Sequence, residues 1–264
     1  MPDTLSLNEW TKYRDILKGI SQHAADEFRD AVFNVKGRFK GVGLKNIPRQ
    51  DLIDYAYELI KIYGDAASAA ACIAYDEMAA LSGVAVQPAM PAPRAEYAEV
   101  AKNINGVLKI SENPDLLAGV IDRLVKQASQ DTTLQNAIRD GAECAWIPAG
   151  DTCAFCIALA GKGWVEASDN LVKNGHAEHI HANCDCAYAV RFSPTTKIQG
   201  YDPEVYARFY DSMPGGTADE KVNAMRRRFY DINKEKINEQ KRGAYAKRVE
   251  RESSVAEEMD VENG

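Results

Sequence analysis

The sequence predicts a mainly α-helical protein with a small α+β module in its C-terminal part, pinned by a cluster of cysteine and histidine residues. Three observations indicate this fold class. Up to Gly141, apolar residues recur at spacings of three and four, as on a helix with one buried face. Short segments that alternate, or that carry aromatic and β-branched residues, follow only after that glycine. Four of the six cysteines lie within 34 positions of this later part.

The first predicted helix opens with a capping box, in which Ser6 is the N-cap and Glu9 reaches back to it. Its apolar face comprises residues spaced by three and four: Trp10, Tyr13, Leu17, Ile20, Ala24 and Phe28. Pro48 suits the first turn of a second helix, which we expect to end near Tyr63. We expect a third, alanine-rich helix after Gly64.

Further helices follow a proline-rich stretch. Three prolines between Val84 and Arg94 predict an extended linker, because each proline disfavours helix at the residue before it. A helix is predicted from about Arg94 to Leu108, and Pro114 opens another. The apolar face of that last helix is expected to contain Leu116, Leu117, Val120, Ile121, Leu124, Val125 and Ala128.

The later part of the chain differs in character. Cys144–Ile147 and Ala187–Phe192 are predicted to be small strands. The predicted regions are an N-terminal helical region over 1–83, the linker over 84–94, a helical region over 95–141, the Cys/His-cluster α+β module over 142–215, and a C-terminal basic helix with an acidic tail over 216–264.

Charge and hydropathy restrict the function classes. The 39 acidic residues outnumber the 32 Lys and Arg residues, which excludes a globally basic nucleic-acid coat. The opening MPDTLSLNEW has no signal-peptide pattern, and the longest run of small apolar residues, Ala66–Tyr75, is half the length of a membrane span. We therefore expect a soluble cytoplasmic protein without a membrane partner.

The C-terminal end divides by charge. Lys221–Arg251 contains 11 basic and four acidic residues, whereas Glu252–Gly264 contains five acidic residues and no basic one. One interpretation is a solvated helix with a frayed tail. The other is a basic arm that meets DNA or an acidic partner.

The cysteine spacing predicts a metal site. Cys153 and Cys156 form a CxxC pair, and after 27 intervening residues His181, Cys184 and Cys186 form an HxxCxC group. Zinc favours four such ligands, supplied as two short pairs that the fold brings together. We expect a structural zinc ion held by Cys153, Cys156, Cys184 and either Cys186 or His181. A redox pair and a set of thiols without metal remain the alternatives.

Catalytic interpretations find little support in the sequence, and no catalytic residue is predicted. His176 and Glu178 match the HxE of zinc deaminases, but those enzymes place their CxxC after the HxE and not before it. Cys153 and His181 could form the nucleophile and base of a cysteine protease. Four clustered cysteines nevertheless suit a metal better than a single nucleophile.

The two cysteine blocks, Thr152–Gly163 (TCAFCIALAGKG) and His181–Cys186 (HANCDC), carry a family resemblance. In their order and pattern they resemble the Mu F-like minor head proteins of tailed phages, in the subgroup from phages of Gram-positive bacteria. The resemblance covers about fifty residues, Trp146–Phe192. Ala182 and Asp185 depart from it, because the family often has proline and arginine at these positions.

The resemblance implies a structural minor capsid protein that enters the phage head in few copies during assembly in the bacterial cytoplasm. Its expected partner is the portal protein, with the major capsid or scaffold protein as further candidates. We expect an apolar helical face, either Trp10–Phe28 or Met225–Ile232, to remain partly uncovered for such a partner. The alternatives are a capsid maturation protease and a zinc-dependent nucleic-acid-binding protein that uses Lys221–Arg251.

Overall fold

The computed structural model describes residues 4–5, 7–33, 37–111, 113–149, 152–169 and 184–262. It confirms the predicted fold class, a mainly helical chain with a small sheet and a cysteine cluster towards its C-terminal end. Within this part the helices are α1 (Leu7–Val32), α2 (Arg49–Leu81), α3 (Tyr97–Leu108), α4 (Pro114–Asp140), α5 (Ala154–Ala160), α6 (Pro203–Asp211) and α7 (Ala218–Glu262). The strands are β1 (Thr4–Leu5), β2 (Glu143–Ile147), β3 (Val165–Glu166), β4 (Ala187–Arg191) and β5 (Lys197–Ile198).

Three long helices, α1, α2 and α4, pack against one another around the largest core, and α3 packs against α2 and α4. The predicted apolar face of α1 is confirmed for Tyr13, Leu17, Ala24 and Phe28, which are buried in this core. Ser6 and the side chain of Trp10 lie outside the described residues. Most of the described α1 face is thus covered by α2 and α4, although Ile20 is only half-buried.

The predicted break at Gly64 is wrong, because α2 continues without interruption from Arg49 to Leu81. Gly64 is buried where α2 approaches α4 and the chain before α3. A Cβ atom at this position would lie 3.5 Å from the Cβ of Arg94 and 3.8 Å from that of Ala128. These are ordinary van der Waals distances, so that a Cβ atom would fit here. The burial of α2 against its neighbours outweighs the intrinsic cost of a helical glycine, which is about 1 kcal/mol.

Helix α4 has end signals that match its observed length. The Asn113 side chain accepts a hydrogen bond from the N–H of Asp115 at 3.0 Å, and Gly141 ends the helix in a left-handed conformation (φ 64°). Most of the predicted apolar face is buried: Leu117, Val120, Ile121, Leu124, Val125 and Ala128. Leu116 is 47% exposed, so its assignment to that face is wrong; it lies about 100° around the helix from Leu117.

Helix α4 is also buried on its polar side. Asp122, Lys126, Ser129 and Thr133, at spacings of three and four, are all buried. The sheet docks close by, where the N–H of Tyr188 donates to the Gln130 side chain at 2.9 Å. Helix α4 is therefore the central element, surrounded by α1, α2, α3 and the sheet.

The segment between α2 and α3 is extended and follows α4. The N–H of Ala92 donates to the hydroxyl of Thr132 at 3.0 Å. The Asn136 amide accepts from the N–H of Met90 at 2.9 Å and donates to the carbonyl of Met90 at 2.8 Å. Side chains of α4 thus satisfy backbone groups that the prolines leave without regular secondary structure.

The predicted strands are confirmed as β2 and β4, which pair in antiparallel orientation, with β3 on the other edge of β2. In this register Trp146 lies opposite Tyr188, and their rings meet edge to face with centroids 4.7 Å apart. A separate two-stranded parallel pair joins β1 to β5. No sequence pattern indicated that pair.

Helices α5, α6 and α7 form a separate small core, to which Met213, Val222 and Met225 contribute buried side chains. The predicted apolar face of α7 is covered only at its beginning, because Phe229 is half-buried and Ile232 is 69% exposed. Among the helices that the structure describes, none has the length and apolar character to cross a membrane.

The carboxyl group of Asp131 on α4 is destabilising at neutral pH. Burial, partly offset by a hydrogen bond from Gln127 and reinforced by the charge of Glu99, raises its pKa to about 6 from 3.8. Because the folded-state pKa is above the unfolded value, the protonated Asp131 makes its full contribution to stability below pH 3.8. That contribution is lost as the pH rises to about 6.

The substitution Asp131→Asn should therefore stabilise the protein at pH 7 by about 1–3 kcal/mol, since a two-unit shift is worth about 1.4 kcal/mol per unit. Thermal unfolding of both proteins at pH 4, 6 and 8 measures this effect. The gain in melting temperature should appear between pH 4 and 6 and then stay constant. An equal difference at all three pH values would contradict the assigned ionisation.

Candidate metal centre

The sulfur atoms of Cys156, Cys184 and Cys186 form a compact buried group, with all of them within 4.8 Å of one another. The Sγ atoms of Cys156 and Cys184 are 3.5 Å apart. A zinc ion with Zn–S bonds of about 2.3 Å holds tetrahedral sulfurs about 3.8 Å apart. None of the six cysteines is in a disulfide. This spacing lets the three thiolates share one metal ion.

Two separate parts of the chain bring these sulfurs together. Cys156 lies in the first turn of α5, which packs against β2. Cys184 and Cys186 immediately precede β4, which is paired with β2 in the sheet. The sheet therefore positions Cys156 of the CxxC against the two cysteines of the CxC.

Backbone N–H groups point at two sulfurs of the cluster region. Cys153 is the N-cap of α5, and its Sγ accepts a hydrogen bond from the N–H of Cys156 at 3.4 Å. The Sγ of Cys186 accepts from the N–H of Ala149 at 3.4 Å. Such bonds stabilise the thiolate form, which is the form that binds metals.

The neutral cluster does not ionise readily by itself. Contacts with the sulfurs of Cys153, Cys184 and Cys186, followed by burial, raise the pKa of Cys156 far above that of a free thiol. Crowded sulfurs cannot all carry negative charge unless a cation lies between them. The donor set thus fits a bound metal cation and does not fit a set of activated nucleophiles.

The structure brings together three of the five predicted ligands. Cys153 is half-buried and lies beside Cys156, outside the group whose sulfurs are all within 4.8 Å. His181 lies outside the described residues, as do His176 and Glu178. The sequence analysis placed Cys153 in the ligand set and left Cys186 and His181 as alternatives, whereas the structure groups Cys186 with Cys156 and Cys184. The ligand left to assign is therefore Cys153 or His181.

The residue between the last two cysteines joins a buried ionic network that the sequence analysis missed. The ammonium group of Lys126 lies 3.0 Å from the carboxylate of Asp122 and 3.2 Å from that of Asp185. The second oxygen of Asp185 lies 2.7 Å from the ammonium group of Lys18 on α1. The side chains of Lys126 and Asp122 are only 7% and 6% exposed.

This network fixes the CxC segment to the helical bundle. Burial opposes ionisation of Asp185, but Lys18 and Lys126 together lower the pKa of its carboxyl group. A charged Asp185 therefore connects the cysteine cluster to α1 and α4 at once. One feature of the sequence could have indicated this network. The polar side of α4 carries the small hydroxyl residues Ser129 and Thr133, whereas a solvent-exposed face would carry long charged side chains.

The fold and the site define a mainly helical protein whose small sheet module carries a buried cysteine cluster suited to a metal ion. A protein-family model described as VG15 protein matches residues 4–213, and the chain belongs to this family, which is a viral one. Searches of curated proteins and of solved structures found no match.

Proposed function

We propose that the protein is a structural minor capsid protein of a tailed phage or prophage, acting in head morphogenesis near the portal. The observation that carries this proposal is that Cys156 of the block Thr152–Gly163 and the two cysteines of the block His181–Cys186 meet in one buried cluster. These blocks carry the resemblance to Mu F-like minor head proteins. Membership of a viral family supports a role in a virus particle.

We further propose that the metal is zinc and that its role is structural. Three thiolate donors favour zinc over the oxygen-preferring ions magnesium and calcium. The ion would join α5 to β4 through Cys156, Cys184 and Cys186, with Cys153 or His181 as the fourth ligand. Metal binding would then contribute directly to the folding of this module.

The surroundings of Cys156 and Cys186 raise the pKa of both thiols, whereas a cysteine nucleophile needs a depressed pKa. These two cysteines are therefore poor nucleophiles. The capsid maturation protease, with Cys153 and His181 as its candidate residues, remains the alternative function. It would require a metal-free, accessible Cys153.

An apolar groove between α1 and α2 offers a contact surface for a portal subunit. It has a volume of about 750 Å³ and is lined by Ile16, Ile73 and Leu81, all of them exposed, and by buried Tyr13 and Met78. Clustered exposed apolar side chains of this kind mark interaction sites. We propose that the portal protein contacts this groove and also the exposed Ile232, at the end of the apolar face predicted for α7.

The substitution Ile73→Asp should leave the fold intact and reduce incorporation into procapsids at least tenfold, because it puts a charge into an interface that must be desolvated. The matched control is Ile62→Asp. Both isoleucines are on α2, and Ile73 and Ile62 are exposed to 62% and 64%, but Ile62 does not line the groove. Quantitative protein analysis of purified procapsids, with pull-down on the portal protein, measures the effect.

Absence of the wild-type protein from procapsids, or an abundance equal to that of the major capsid protein, would refute the proposed role. Equal incorporation of the two aspartate variants would remove the groove from the contact. The same preparations test the alternative function, since specific cleavage of capsid or scaffold subunits that Cys153→Ser abolishes would favour the protease.

A further inference from the structure

Helix α7 leaves the body of the protein soon after it begins. Val222 and Met225 are buried against α5 and α6, whereas the described side chains after Met225 are exposed apart from half-buried Phe229 and Asn233. The helix has 45 residues, which corresponds to about 67 Å at 1.5 Å per residue. A helix so polar and so little packed is expected to gain its function from a partner.

The charges of this helix are segregated around its axis. With about 100° per residue, eight of the 11 basic residues of Lys221–Arg251 fall on one half of the circumference. They are Arg226, Arg227, Lys234, Lys236, Lys241, Lys247, Arg248 and Arg251. The four acidic residues of this segment, Asp231, Glu235, Glu239 and Glu250, all fall on the other half with the remaining three basic residues. We call the first half the basic face.

The acidic tail of the same chain cannot cover the basic face. Glu252 and the acidic residues after it continue the same helix to Glu262, so that reaching back would require the helix to break. The eight positive charges of the face extend over 26 residues, or about 39 Å, which is slightly more than one turn of B-form DNA. The ligand must therefore be external, elongated and negatively charged.

We propose that the basic face binds the sugar–phosphate backbone of double-stranded DNA without reading its sequence. Arg226 and Arg227 are on consecutive positions and, like Lys234, are exposed, which suits contacts to phosphates along a groove edge. An acidic protein partner would need a set of apolar anchors as well. Beyond the packed start of the helix, the eight basic positions of this face outnumber its four large apolar positions, half-buried Phe229, exposed Tyr230 and Tyr245, and Ile237, so that charge dominates the face.

The proposal predicts a face-specific electrostatic signature. Each phosphate contact contributes about −0.9 to the slope of the logarithm of the binding constant against the logarithm of salt concentration. The double variant Arg227→Gln/Lys234→Gln should reduce that slope by about 1.8 and weaken binding equally for unrelated DNA sequences. The control Arg228→Gln/Arg242→Gln removes the same charge from the opposite half of the helix and should leave the slope unchanged.

The measurement is fluorescence anisotropy of full-length protein with a labelled duplex of about 30 base pairs at several salt concentrations, with circular dichroism to show that both variants keep their helix. Removing residues 252–264 should tighten binding, because five acidic residues no longer repel the duplex. Equal losses in the two double variants, no binding at about 50 mM salt, or equal binding of polyglutamate would each overturn the proposal. Because the assay uses purified protein, its result is independent of incorporation into heads.

Discussion

The substitution Cys184→Ser should release a stoichiometric zinc ion and unfold the module that contains β2, β4 and α5. Wild-type protein made in zinc-containing medium should hold one zinc ion per chain. The expected effect is large because apparent zinc-binding free energies of about 10–16 kcal/mol appear directly as folding free energy in small zinc modules. Mass-spectrometric metal analysis and thermal unfolding with and without a chelator measure the two effects.

The matched control is Cys72→Ser, which changes a half-buried cysteine on α2 outside the cluster and should leave both the metal content and the chelator response unchanged. Comparing Cys153→Ser with His181→Ala identifies the fourth ligand, since only the ligand's substitution should lower the zinc content. Protein without zinc, whose unfolding a chelator does not change, would eliminate the metal and leave a cluster of thiols.

The substitution Lys126→Met should destabilise the whole protein by about 3–5 kcal/mol, because it removes the ammonium group that compensates the charge of the buried Asp122 carboxylate. It also removes one of the two cations beside Asp185. Urea unfolding, followed by circular dichroism for the helices and by tryptophan fluorescence, measures the loss. Trp146 in β2 helps the fluorescence report on the sheet.

Two comparison variants separate burial from pairing. The double variant Lys126→Met/Asp122→Asn removes both buried charges and should recover much of the loss. Lys18→Met should cost at most about 1 kcal/mol, because the Lys18 side chain is 43% exposed and its pair with Asp185 is partly screened by solvent. An effect of Lys126→Met no larger than that of Lys18→Met would contradict the buried network.

The helices were predictable where periodicity and end signals agree. In α1 and α4 the apolar spacing, with Pro114 at the start of α4, was sufficient. The continuity of α2 was not predictable, because the penalty for a helical glycine is a local property, whereas the packing of Gly64 against Arg94 and Ala128 depends on the tertiary structure.

The candidate site was only half predictable. Clustered cysteines in close pairs are uncommon, so that their spacing alone indicated a metal site. The network around Lys126 had only the weak signal of small hydroxyl residues on the same side of α4, since Asp122 and Lys126 have the spacing of an ordinary surface pair on a helix. That they are buried depends on α1 and the sheet covering the polar side of α4, and such coverage is not encoded in local periodicity.

The parallel pair of β1 and β5 affects the order in which the chain can fold. Thr4 pairs with Lys197, so that 193 positions separate the two partners along the sequence. The entropy of closing so long a loop must be lost before the contact forms, whereas the helices meet across much shorter loops. A nascent chain can therefore assemble α1, α2 and α4 while β1 still has no partner, and β1 docks only after β5 has been synthesised. Because each of these strands has only two residues, we also expect the β1–β5 pair to be the first part of the native structure to open.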